Sequence, residues 1–178
     1  MILDCLNTYP HAKIGFFASD MKLYIDSDAA YPVAPKAKSS IAGFYYLSNT
    51  TNPKLNDPIL VEYRLLKRGV TSAAESETAG LFYNTQTAVD IKNILMALGH
   101  QHTDVPIKTD NSTAASFVTD TLKQKRSKAW DVHYHWLSEQ QKLGNFKIFW
   151  DKGIKNFAEH HTKHHSPTHH QNVRKNYI

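Results

Sequence analysis

One cysteine, Cys5, in 178 residues excludes an internal disulfide and fits a reducing compartment. No window of about 18 apolar residues occurs, so a membrane-spanning helix is excluded. Residues 1–20 lack the basic-then-apolar pattern of a secretion signal. No internal repeat is visible and no long disordered tract interrupts the chain. These absences lead to the expectation of a soluble, intracellular chain whose length suits one domain, with 41% hydrophobic residues to build its core.

Charge is unevenly spread. The formal net charge is +5, yet from Thr121 onward 11 Lys/Arg stand against 4 Asp/Glu, a net +7 that leaves −2 for residues 1–120. A basic back third suits a phosphate backbone, although such an excess is also common on solvated faces.

Residues 1–20, with Pro10 and no clear period, are expected to be a lead-in segment, 21–165 the domain itself and 166–178 a C-terminal tail. Met21–Tyr31 reads as a strand with Leu23 and Ile25 on one face and Tyr24, Asp26 and Asp28 on the other. Ser39–Leu47 and Ile59–Leu66 read as two further strands around the turn-rich Asn49–Pro58, and their short connections imply an antiparallel meander. From Ala73 to Leu98 there is no proline. Leu81, Ala88, Ile91, Leu95 and Leu98 recur at helical spacing there, and Gly99 suits the residue just past the helix end. Val105–Asp110 is a short strand reached by a parallel crossover. Asn111–Val118 and Asp131–Lys142 read as helices, Phe146–Trp150 as a strand and Asn156–His165 as a last helical segment. This order predicts an α/β protein with a mixed five-stranded sheet, three antiparallel strands followed by parallel ones, flanked by helices.

Four acids stand where these elements converge: Asp26, a helical glutamate, Asp110 and Glu159. A buried, unpaired carboxylate is costly, so Asp26 on an apolar strand is either a solvated edge residue or a metal ligand. Successive helix residues advance about 100°, which puts Glu77 near the centre of the Leu81, Ala88 and Leu95 stripe and Glu75 nearly opposite. Asp110 sits where a parallel strand meets a helix, the usual place for a site in an open α/β sheet, although Asp is also a common N-cap. Asp28 is expected to serve the turn after its strand, or to assist as an outer group. Several carboxylates around one point stay ionised only with cations between them, and hard oxygen ligands select Mg²⁺ or Mn²⁺. Two such ions about 3.5–4 Å apart suit phosphodiester hydrolysis.

The four acids lie in four of five blocks: YIDSDAAY at Tyr24–Tyr31, SAAESETAGLF at Ser72–Phe82, IKTDNSTAA at Ile107–Ala115 and NFAEHHTKHH at Asn156–His165, with RSKAWDVHYHWL at Arg126–Leu137 as the fourth block in chain order. In this order the chain resembles the ribonuclease H domain of copia-type LTR retrotransposon polyproteins, which follows the reverse transcriptase. The resemblance implies a ribonuclease H-like fold, two Mg²⁺ or Mn²⁺ ions, and cleavage of the RNA strand of RNA–DNA hybrids to a 3′-hydroxyl and a 5′-phosphate. It carries the catalytic and metal-binding roles onto Asp26, Glu77, Asp110 and Glu159. It also implies a reverse transcriptase domain as a partner, and a location in the cytoplasm, a virus-like particle or the nucleus. One departure stands out. The family has aspartate where this chain has Glu159, and often an aromatic where it has His160. The extra methylene moves the last carboxylate by about an ångström in a site that tolerates little displacement, so the second ion is the one affected. Nothing here resembles a polymerase, and the chain is expected to be a fragment or a separately encoded remnant.

Lys123, Lys125, Arg126 and Lys128 precede a helix with Trp130, Tyr134 and Trp136. They are expected either to bind hybrid phosphates or to form a solvated loop beside core aromatics. His160, His161, His164, His165, His169 and His170 invite a zinc reading through pairs such as His160/His164. No cysteine completes a tetrahedral pattern, so they are expected to be exposed histidines beside the site, with His161 or His164 as a proton donor at most. A second reading of the whole is a catalytically decayed nucleic-acid-binding or polyprotein-interaction module that keeps the fold. A third, an integrase-like strand transferase, is disfavoured by the matching blocks and by the lack of a zinc-binding entry domain.

Overall fold

Alternating β-branched and aromatic residues form three antiparallel strands, β1 (Lys22–Ala34), β2 (Lys38–Ser48) and β3 (Pro58–Leu65). The computed structural model describes residues 7–11, 13–34, 38–67, 69–101, 104–119 and 128–174, with backbone alone at 34, 117 and 128–131. β1 runs past its expected end at Tyr31. Ala29 and Ala30 pair with Ile41 and Ser40, and the register then shifts before Ala34, which accommodates Pro32 without a ladder N–H. β4 (Val105–Thr109) lies parallel to β1, and β5 (Phe146–Trp150) parallel to β4. The sheet order is β3-β2-β1-β4-β5, the mixed five-stranded arrangement expected from the sequence.

The long helix α1 (Ala73–Ala97) crosses one face of this sheet. Ser72 caps it by accepting the Glu75 N–H at 3.2 Å. At the other end Gly99 adopts φ +93, and the N–H groups of Gly99 and His100 return to the carbonyls of Met96 and Leu95, a Schellman closure. Leu81, Ala88 and Leu95 pack with Leu23, Ile25 and Tyr45 of the sheet, together with Ile107, Leu137, Phe146 and Ile148. Two more helices, α2 (Ser112–Val118) and α3 (Lys128–Lys142), adjoin α1, and Trp136 of α3 meets Phe82 of α1 edge-on at 5.2 Å. Trp136 is therefore part of the core packing.

The other face carries a smaller apolar group of Ala42, Phe44 and Ala158, with Phe157 and Tyr46 against it. The chain reaches it through a 3₁₀ turn at Gly153–Lys155, followed by two short helices: α4 (Glu159–Thr162), shorter than the helical segment expected over Asn156–His165, and α5 (Pro167–Val173), in the stretch expected to be a tail. Lys163 is extended, and Ser166 with Pro167 restarts the helix, so the single turn at Glu159 cannot propagate. Asn156 donates to the Ser27 carbonyl at 2.8 Å and Ser40 donates to the Thr162 carbonyl at 3.2 Å. These bonds fasten α4 over the face of β1 that carries the acids. Among the described residues no helix is long and apolar enough to cross a membrane.

Candidate active site

The β1–β4 register decides which acids meet. Asp26 pairs across the ladder with Lys108. Two residues further along each strand, on the same side, come Asp28 and Asp110. The parallel register thus turns one acid toward a lysine and the next toward another acid. Asp26 is 1% exposed; its Oδ2 lies 2.8 Å from the Lys108 Nζ and accepts the Phe157 N–H at 2.9 Å. Burial pushes the Asp26 carboxyl up, and Lys108 and that N–H pull against it. The structure therefore assigns Asp26 a charge partner within the protein and leaves it outside the acid group.

Asp28, Glu77 and Asp110 form that group, each offering a carboxylate oxygen within 4.8 Å of the others. Glu77, 5% exposed, lies one turn into α1 and accepts the Ala29 N–H. Glu75, by contrast, bonds the Thr71 N–H and hydroxyl at 2.6 and 2.7 Å and lines a separate cavity of about 420 Å³ with Arg64, Tyr83 and His133. Asp110 is not the cap of α2; Asn111 takes that role, accepting the Ala114 N–H at 2.9 Å. The Asp110 carboxylate is free to face the group. Gly153 allows this approach, since a Cβ there would stand 2.7 Å from Asp110 Oδ2.

All three carboxyls are held above the usual range. Burial, then the Asp28 and Asp110 charges, raises Glu77 well above it. Burial pushes Asp28 up to about 6 against the pull of Thr162 and Lys163. Asp110 rises through burial and the nearby Glu159. The Thr162 hydroxyl donates to Asp28 Oδ2. Asp28 Oδ1 and Glu77 Oε2 are buried without a hydrogen-bond partner. Orphaned buried oxygens in a cluster of carboxylates fit a hard divalent cation such as Mg²⁺ or Mn²⁺.

Glu159 stands at the rim. Its Oε1 lies 2.7 Å from the Lys163 Nζ, which is also 3.9 Å from Asp28 Oδ1. Burial lowers Lys163, but the bond to Glu159 and the charges of Asp28, Glu159 and Asp110 raise it overall, so the ammonium persists among the acids. Of the two candidate donors, His161 is half-buried and His164 exposed. Lys123, Lys125 and Arg126 fall outside the described residues, and Lys128 opens α3 with its backbone alone described. Asp28, expected to serve the turn after its strand or to assist as an outer group, instead lies within β1 and belongs to the acid group. Its signal was the match between Asp26-Ser27-Asp28 and Lys108-Thr109-Asp110, which becomes readable once the two strands are set in register.

No protein-family model and no curated protein matches the chain. Solved structures do. The N-terminal ribonuclease H domain of a Mycobacterium tuberculosis protein is 14% identical, covers 79% of this chain and 89% of its own, and gives a TM-score of 0.56. LC11-RNase H1, isolated from compost and solved in complex with an RNA/DNA hybrid, is 12% identical over 78% of this chain and 92% of its own, with a TM-score of 0.56. The PFV ribonuclease H domain is 14% identical over 88% of this chain and 92% of its own, with a TM-score of 0.50. Sheet order, the helix crossing β1 and these likenesses together establish that the chain has the ribonuclease H-like fold.

Proposed function

We propose that the chain is a metal-dependent endoribonuclease that cuts the RNA strand of RNA–DNA hybrids, the ribonuclease H domain of a copia-type retrotransposon polyprotein. The observation that carries this reading is the convergence of Asp28, Glu77 and Asp110 within 4.8 Å, with two buried carboxylate oxygens lacking partners. These three residues would hold Mg²⁺ or Mn²⁺, with Glu159 beside them for a second ion; the role first given to Asp26 passes to Asp28. Bound ions supply an activated water and neutralise charge at the scissile phosphate.

The protein's own groups prepare that chemistry. Thr162 donates to one oxygen of Asp28 and so fixes the carboxylate. The Ala29 N–H orients Glu77, and Asn111, by capping α2, leaves Asp110 uncommitted. Lys163 offsets part of the negative charge. The five sequence blocks support the copia-type origin, and the hybrid bound by LC11-RNase H1 supports the substrate class. Lys123, Lys125, Arg126 and Lys128 are proposed to bind the hybrid backbone, with an affinity that falls steeply as salt rises.

The direct test is incubation of the purified chain with strand-labelled RNA–DNA hybrid, duplex RNA and duplex DNA, in Mg²⁺ and separately in Mn²⁺. Cleavage confined to the RNA of the hybrid, and lost in chelator, is expected. One observation favours a second reading: the Lys163 ammonium already sits on Glu159 and near Asp28. Under that reading the chain is a decayed binding module, and the hybrid is bound but left intact with either ion.

A further inference from the structure

The acid site does not account for the histidines that follow it. α4 ends at Thr162, the chain extends through Lys163, and Ser166 starts α5 by accepting the His169 N–H at 3.3 Å. This reversal folds α5 back over α4. His160, His165 and His169, from three different segments, thereby bring one ring nitrogen each within 4.8 Å of one another. Their ring centroids lie 5.5 Å (His160 to His165), 5.5 Å (His160 to His169) and 3.9 Å (His165 to His169) apart, and the His170 ring is 4.9 Å from His160.

We propose that His160, His165 and His169 form a second metal site, for a borderline transition-metal ion of the zinc class, separate from the carboxylates. Imidazole nitrogens prefer such ions to Mg²⁺ or Mn²⁺, which the carboxylate site would take. His165 Nε2 is 3.3 Å from the Glu159 carbonyl, which can only accept, so a hydrogen bond there is donated by Nε2. A ligating histidine held by a backbone carbonyl through its other nitrogen is the common arrangement at metal sites. His169 Nε2 is buried without a hydrogen-bond partner.

Three histidines leave a fourth position for water or for His170. The grouping differs from the His160/His164 pair that spacing suggests, because His164 points its exposed side chain elsewhere while the extended backbone carries His165 inward. Glu159 directly precedes His160 and Lys163 lies between His160 and His165, and this pair stands at the acid group. An ion bound here would therefore pin the segment that closes the acid site. This proposal stands whether or not the acids support catalysis.

The test is calorimetric titration of the chelator-treated full chain with Zn²⁺ in excess Mg²⁺, with Co²⁺ absorption as a second readout. One equivalent of Zn²⁺ is expected to bind, and Co²⁺ to give the intense visible bands of a tetrahedral site. His165→Ala with His169→Ala should weaken binding by about a hundredfold, with His169→Gln as the milder variant should the pair fail to fold. His164→Ala should leave binding unchanged. Weak multi-site binding, an octahedral cobalt spectrum, or equal losses in His164→Ala and His169→Gln would overturn the proposal in favour of scattered surface histidines.

Discussion

Asp26 and Asp28 share one strand and one face, yet they meet opposite charges. Asp26 faces Lys108 at 2.8 Å, and Asp28 faces Glu77 and Asp110. Their substitutions should therefore act in opposite directions. Asp26→Asn strands a buried ammonium and should cost about 3–5 kcal/mol, read as a lower denaturant midpoint in chelator. Asp28→Asn removes one of three crowded carboxylates and should leave the metal-free midpoint equal to the parent's or above it. Alternation along β1 made the shared face legible from sequence. Which acid has a cation opposite it was not legible, because Lys108 arrives from a distant strand whose register no local pattern encodes.

At the scale of elements, the long helix was the most readable part. Its stripe of Leu81, Ala88 and Leu95 separates Glu77, buried with the acids, from Glu75, bonded to Thr71. The final segment was less so. Ser166-Pro167 is a helix-start signal at the head of α5, but it lay in what reads as a tail, among polar residues with no apolar period to support it. Two substitutions probe how these pieces hold the site. Gly153→Ala places a methyl against the Asp110 carboxylate and should lower hybrid cleavage by about a hundredfold while leaving the melting temperature nearly unchanged. Glu159→Asp withdraws the rim carboxylate from Lys163 and gives the side-chain length that the copia-type resemblance implies. Its Mg²⁺-dependent cleavage rate should rise by about tenfold or more over the parent's; an unchanged rate would show that the extra methylene is tolerated.

Across the whole molecule, the crowded acids link stability to pH and to metal. The Asp28 carboxyl is raised in the folded chain from 3.8 to about 6. The protonated group's contribution is thus fully present below its ordinary value and is lost as pH rises through about 6. Glu77 and Asp110 shift the same way. Without metal, the parent should lose stability relative to Asp28→Asn between about pH 4 and about pH 7, by up to about 3 kcal/mol. Excess Mg²⁺ should restore it, with a gain in melting temperature that grows over the same interval and is absent in Asp28→Asn. The mixed five-stranded sheet and its flanking helices were open to sequence reasoning because period and turn residues carry them; the pairing of β1 with β4, which builds the acid group, was not.

In the proposed function Asp28, Glu77 and Asp110 form the catalytic metal site and Asp26 is its structural neighbour. The most direct measurement is Mg²⁺-dependent cleavage of a strand-labelled RNA–DNA hybrid by the parent, Asp28→Asn and Asp26→Asn, each confirmed folded by circular dichroism at the assay temperature. Cleavage of the RNA strand by the parent, none by Asp28→Asn, and retained cleavage by the folded fraction of Asp26→Asn are expected. Full activity in Asp28→Asn, with loss confined to a well-folded Asp26→Asn, would contradict this assignment.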